Sequence, residues 1–161
     1  MMLTSSINFI NFKKKIKSKF IKKNLNSLLK NKNQVIESLS SNYKNSYKIR
    51  QINKYRSFKN FRVIGMGGST LGTQAIYDFL KSKIKKNFKF IDNLQINQKI
   101  EKKKYVNLVV SKSGNTIETI INTNLLIKKK DKNIFITENK KNYLYLLAEK
   151  LKSEIIHHNN F

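Results

Sequence analysis

All five glycines of this 161-residue chain fall in two short stretches. The first reads Gly65-Met66-Gly67-Gly68-Ser69-Thr70-Leu71-Gly72. The second, around Gly114, reads Ser111-Lys112-Ser113-Gly114-Asn115-Thr116-Ile117-Glu118-Thr119. In a sequence so poor in glycine, the clustering marks places where the backbone takes a positive φ or must approach a ligand closely. Each stretch follows a short apolar run of strand length and precedes an apolar pattern of helical spacing. A loop so placed presents backbone N–H groups at a helix N-terminus, and the hydroxyls of Ser69, Ser111, Ser113 and Thr116 add further donors. That is chemistry for holding an anion without a metal.

The type of anion follows from motifs that fail. A dinucleotide fingerprint beginning Gly65-x-Gly67 needs glycine where the chain has Thr70, and only Asp92 stands near the place of its ribose-binding acid. A nucleotide P-loop spanning Gly67 to Gly72 needs lysine next, where the chain has Thr73. Neutral hydroxyls and amides suit a phosphate monoester, whereas a triphosphate calls for a P-loop lysine and Mg²⁺. In the second loop Asn115 is expected to cap the following helix, with Glu118 reaching back. That would leave Ser111, Ser113 and Thr116 to donate to phosphate oxygens.

From residue 58 onward, strand and helix patterns alternate. Strands are predicted at Phe61–Ile64, Phe88–Ile91, Tyr105–Val110, Asn133–Thr137 and Glu154–Ile156. Helices are predicted over Thr70–Lys83 (a stripe of Leu71, Ala75, Phe79 and Leu80), Gln98–Lys103, Ile117–Lys130 and Asn142–Lys152. Short links between alternating elements imply βαβ units. The expected fold class is therefore α/β, a three-layer αβα sandwich around a mostly parallel sheet of about five strands. Both loops then lie at carboxyl ends of strands, where open α/β sheets bind ligands. Residues 1–57 differ: they are lysine-rich, with Phe9, Phe12, Ile16 and Phe20 at helical spacing and a second stripe at Val35, Ile36 and Leu39. This predicts a helical N-terminal extension. A targeting peptide is the competing reading, since no acid precedes Glu37. Such peptides favour arginine, however, and none precedes Arg50.

The net charge of +25 invites a nucleic-acid partner. Lysine carries nearly all of it, because the arginines are only Arg50, Arg56 and Arg62. Lys, Asn and Ile have A/T-rich codons, whereas the absent proline and scarce glycine need G and C, so skewed coding composition accounts for the charge. Nucleic-acid readers also favour arginine for bidentate contacts. No nucleic-acid partner is expected. Nor is a membrane, since no apolar run approaches the roughly 20 residues of a spanning helix. The chain has no cysteine, so no disulfide or thiolate metal site is available, which fits a cytoplasmic location. His157 and His158, the two histidines, end a predicted strand, where a histidine is more often structural than a base. No catalytic residue and no metal ligand is assigned.

The first loop resembles the G-x-G-G-S-x-L-G signature of glucose-6-phosphate isomerases. The second occupies the place of that family's S-K-T-x-T-T-x-E-T phosphate loop, with Ser113 for threonine and Gly114-Asn115 for a bulkier residue and threonine. S-x-S-G-N-T-x-E-T is itself typical of the wider sugar-isomerase (SIS) superfamily. The resemblance covers about residues 60–161 and implies a phosphosugar-binding SIS domain over 58–161. It implies that Gly68, Ser69, Ser111, Lys112, Ser113 and Thr116 contact the phosphate and sugar of a hexose 6-phosphate, with a looser fit at Thr119. The implied reaction is the cofactor-free interconversion of glucose 6-phosphate and fructose 6-phosphate in glycolysis and gluconeogenesis, by ring opening and a cis-enediol, in an enzyme that is usually a homodimer. The family's catalytic Glu, its His and Lys, and its G-G-R-x-S motif all lie downstream of the matched region. The expectation is a truncated chain that binds sugar phosphate but does not isomerise it alone. The alternative is a non-catalytic SIS sensor that binds a sugar phosphate and regulates a partner.

Overall fold

The computed structural model describes residues 18–31, 33–94 and 103–158. The chain divides between Asn45 and Ser46 into two compact units. In the first, helix α1 (Lys19–Lys30) is capped by Ser18, whose Oγ accepts from Ile21 N at 3.2 Å. Helix α2 (Gln34–Ser38) is capped in the same way by Asn33. Phe20, Ile21, Leu25 and Leu28 of α1 are all exposed. Of the apolar stripe expected to contain Phe20, positions 9, 12 and 16 lie outside the described residues.

The second unit opens with a short helix, α3 (Ile49–Asn53), and then alternates. Strand β1 (Asn60–Ile64) leads to α4 (Gly68–Leu80), β2 (Asn87–Ile91), β3 (Val106–Val110) and α5 (Ile117–Leu126). Strand β4 (Lys132–Thr137), α6 (Tyr143–Lys150) and β5 (Glu154–His157) complete it. Each expected strand forms. Residues 98–102 of the expected helix at Gln98–Lys103 lie outside the described residues. Helix α5 stops at Leu126, short of the expected Lys130. There Ile127 is extended, and a turn takes over in which Lys128 N donates to Asp131 Oδ2 at 2.9 Å.

The five strands form one sheet, all parallel, in the order β2-β1-β3-β4-β5. This is the α/β architecture expected. Alternate residues of each strand feed two cores, one on each face. On one face Ile64, Ile91, Val109 and Phe135 pack with Leu144 and Ala148 of α6 and with Ile120 and Leu126 of α5. On the other, Phe61, Val106 and Ile134 pack with Tyr55, Phe58 and Phe88, and Tyr77 of α4 lies against Phe88 at 5.1 Å between ring centroids. Each fully buried side chain such as Phe135 or Ile64 contributes on the order of 1.5–3 kcal/mol.

Helix α4 departs from its expected packing face. Leu71 and Phe79 of the predicted stripe point to solvent, Phe79 with 85% of its surface exposed, while Thr70, Tyr77 and Leu80 turn inward. Apolar residues lie on more than one side of this helix, so periodicity alone did not select the buried one. Among the described residues no helix is long and apolar enough to cross a membrane.

Candidate anion-binding site

The strand order fixes where the two loops meet. From β1 the chain moves out to β2, whereas from β3 it moves the other way to β4 and β5, so the order reverses between β1 and β3. At such a switch point the loops leaving two neighbouring strands part to opposite faces and leave a crevice at their carboxyl ends. The loops leaving β1 and β3 are the two glycine-containing stretches. They start side by side, since Ile64 pairs with Val109, and a Cβ on Gly65 would sit 2.8 Å from the carbonyl oxygen of Val110. Only a residue without a side chain permits that approach.

In the first loop, Gly67 is the N-cap of α4 and has no side chain to close the helix. The amides of Ser69 and Thr70 turn back to the carbonyls of Met66 and Gly67 at 3.2 and 3.0 Å. Gly68 is exposed, and nothing lies within 4 Å of where its Cβ would be, so the backbone there faces open space. Ser69 is half-buried at the second position of the helix.

In the second loop, the expected cap is not the one formed. Thr116, not Asn115, is the N-cap of α5, and no side chain closes that helix either. The Thr116 hydroxyl lies 3.1 Å from Ser111 Oγ instead of turning to its own helix. Asn115 Oδ1 reaches across to a different element, accepting from Tyr143 N at 3.1 Å. Ser111 is buried, and its Oγ also accepts from Gly114 N at 3.2 Å, so its hydroxyl holds the loop together from within. Ser113 Oγ accepts from Asn115 N at 3.3 Å. Lys112 and Ser113 are exposed at the tip of the loop and Thr116 is half-buried at the start of α5. Gly68, Ser69, Ser111, Lys112, Ser113 and Thr116 therefore all lie on the two loops that leave the neighbouring strands β1 and β3 at the switch point.

The surrounding groups that sequence reading passed over come from β4 and α6. Glu138, just past β4, donates its amide to the Lys112 carbonyl at 3.0 Å, while its carboxylate pairs with Lys140 at 3.0 Å. Thr137 Oγ1 donates to the same carbonyl at 3.3 Å. Asn142 caps α6 and is itself buried. No motif flags these residues, because they lie more than 20 positions from the loop they support. His157 ends β5, stacks on Tyr145 at 6.3 Å, and has a buried Nδ1 without a hydrogen-bond partner among the described residues. Among the described residues no group of three or more His, Asp or Glu gathers as a metal would require.

No family model matches the chain. It is 41% identical over 102 residues to the glucose-6-phosphate isomerase of Methanocaldococcus jannaschii, a match covering 53% of this chain and 25% of that protein. The glucose-6-phosphate isomerase of Borrelia garinii subsp. bavariensis is 41% identical over 86 residues, covering 46% of this chain and 16% of that protein. That of Acholeplasma laidlawii is 34% identical over 122 residues, covering 63% and 28%. The chain thus resembles part of a glucose-6-phosphate isomerase, and the matches span 16–28% of these relatives' lengths. A crystal structure of a hypothetical protein from Thermus thermophilus shares the fold, with a TM-score of 0.51 over 68% of this chain, 31% of that chain and 22% identity.

Proposed function

We propose that the two loops bind the phosphate of a hexose 6-phosphate and that the chain supplies this grip to a glucose-6-phosphate isomerase. The observation that carries the reading is the pair of helices, α4 and α5, that begin at the switch point with no side chain capping either one. A phosphate dianion placed between them takes the role of the missing caps. It accepts from the open backbone at Gly68 and from the first-turn amides of α5, and sits at the positive end of two helix dipoles. Ser69, Ser113 and Thr116 add hydroxyl donors, Gly68 adds open backbone, and Lys112 adds a positive charge at the rim. Ser111 keeps Gly114 and Thr116 in place beneath them.

On this reading residues 58–161 are a phosphosugar-binding SIS domain, 1–57 its N-terminal extension, and the whole enzyme a cytoplasmic homodimer. The isomerisation moves a proton between C1 and C2 of the open-chain sugar, which needs a base within hydrogen-bond reach of the carbon-bound proton. Of the acids nearest the crevice, Glu138 is engaged by Lys140 and Glu118 lies in the first turn of α5. The proposed contribution of this chain is therefore to hold and orient the phosphate, with proton transfer left to other groups of the enzyme.

The test is a titration of the isotope-labelled chain with glucose 6-phosphate, read as amide chemical-shift changes, together with a coupled assay for fructose 6-phosphate. Shifts confined to residues 67–70 and 111–118, without turnover, are expected. Shifts scattered over surface lysines would refute the site, and turnover above background would refute the division between grip and chemistry.

A further inference from the structure

We propose that the buried Asn142 is a positioning residue for the second loop, setting the direction of the Ser113 amide without touching the phosphate. This rests on the phosphate reading above.

A directed relay of hydrogen bonds starts at Asn142. Its Oδ1 accepts from Tyr145 N at 2.9 Å as the cap of α6. That fixes the amide nitrogen on the other side, where Nδ2 donates to Thr137 Oγ1 at 2.9 Å. With its oxygen accepting from Asn142, the Thr137 hydroxyl spends its own proton on the Lys112 carbonyl at 3.3 Å, joined there by Glu138 N at 3.0 Å. Two donors thus hold the Lys112 carbonyl toward the end of β4. The peptide that follows is planar and trans, so its N–H points opposite to its C=O. The Ser113 amide is therefore turned away from Thr137 and Glu138.

The same helix end holds the next two residues. Leu144 N donates to the Gly114 carbonyl and Tyr143 N to Asn115 Oδ1, both at 3.1 Å. Gly114 has φ +67°, and a Cβ there would collide with the Asn142 carboxamide, so the loop rests directly on that side chain. The Gly114-Asn115 pair thus forms one fitted set with Asn142: glycine for the space, asparagine for the Tyr143 amide.

The test separates helix capping from loop seating. Asn142→Ser keeps an oxygen able to cap α6 but removes the donor to Thr137 and the support beneath Gly114. Thr137→Val breaks the relay without altering the cap, and Thr137→Ser restores it. For Asn142→Ser and Thr137→Val in the full chain, backbone order parameters at residues 112–115 should fall from about 0.85 toward 0.6. Glucose 6-phosphate affinity should weaken by about tenfold, the scale of losing one well-aimed charge-assisted donor. Thr137→Ser should return both to wild type. If the loop stays ordered in both disruptive variants, or loosens with affinity unchanged, the positioning role is overturned. A loop that loosens in a chain whose wild type binds no glucose 6-phosphate overturns the phosphate reading alone.

Discussion

Helix α6 and the pair α4 and α5 begin in opposite ways on the same edge of the same sheet. At α6 all three first-turn amides are taken by the protein: Tyr143 N by Asn115 Oδ1, Leu144 N by the Gly114 carbonyl, and Tyr145 N by Asn142 Oδ1. At α4 the cap is a glycine, and at α5 it is a threonine whose hydroxyl lies against Ser111. At α4 the Ser69 and Thr70 amides turn to the backbone carbonyls of Met66 and Gly67, which leaves the Gly68 end of the helix facing open space. Side chains and a neighbouring loop thus close the start of α6, whereas α4 and α5 start without a side-chain cap among the described residues. The closed end also does a second job, because the groups that satisfy it belong to the loop that opens α5.

Closing one of the open ends is the sharpest way to break this contrast. Thr116→Asp should make α5 resemble α6, stabilising the fold by about 0.3–1 kcal/mol through its own cap and the helix dipole. The same carboxylate should repel phosphate and weaken glucose 6-phosphate binding by about 100-fold or more, roughly 2.7 kcal/mol. Thermal melting and ligand titration of one variant would then move in opposite directions. A parallel fall in both would mean that Thr116 is merely structural.

Two glycines on the first loop sharpen the comparison. Gly65→Ala places a methyl 2.8 Å from the Val110 carbonyl and 3.1 Å from Ser69 Cβ, and should cost about 1–3 kcal/mol in urea unfolding by forcing β1 and β3 apart. Gly68→Ala, with nothing within 4 Å, should leave stability within about 0.5 kcal/mol, as surface changes do. Equal costs at the two positions would show that the close approach at Gly65 is not what the fold requires.

Single hydroxyl deletions should have smaller effects. Ser69→Ala and Ser113→Ala are each expected to weaken binding by about 0.5–1.5 kcal/mol, with little change in melting temperature. Ser111→Ala should instead act on the loop itself, since it strips a buried partner from Gly114 N. Melting curves beside titrations distinguish the two patterns.

Far from the crevice, the segment after α3 is tied to β5 by Tyr55, whose hydroxyl donates to Glu154 Oε2 at 2.9 Å, with Lys54 alongside at 3.3 Å. Burial, then the Glu154 hydrogen bond and its charge, push the Tyr55 hydroxyl from 10.0 up to about 12. A raised folded-state value means the neutral form is favoured by folding. This contribution is complete below pH 10 and is lost as pH rises from about 10 to 12. The loss should be modest because Tyr55 is only half-buried and solvent screens its charge. Tyr55→Phe should flatten stability over that window, with glucose 6-phosphate binding at neutral pH unchanged. A slope equally steep without the phenol would assign it to other groups.

Much of the frame was legible from residue patterns. Short β-branched and aromatic runs such as Phe61–Ile64 and Asn133–Thr137 form the expected strands, because a buried parallel strand has few sequence alternatives. Helix ends and faces were less legible. Helix α5 gives way at Ile127 to a turn held by Asp131, and α4 buries Thr70 and half-buries Tyr77 while exposing Phe79. The cap of α5 differs from the expected one for a related reason. Asn115 has the right chemistry and spacing to cap its own helix, but Tyr143 N competes for the same oxygen from a different helix, far along the chain.

The sequence by itself determined that strands and helices alternate, that two loops rich in glycine and hydroxyls follow strands, and that neither is a nucleotide motif. These are local properties, set by side-chain period and by where only glycine fits. Tertiary structure alone decided that the loops open at one switch point and that α6 seats one of them. Strand order depends on which way each crossover turns. The seat depends on the β3–β4 register that pairs Val110 with Ile136 and so brings Thr137 and Asn142 under Lys112 and Gly114. Those relations join residues far apart in the chain, and no local pattern encodes them.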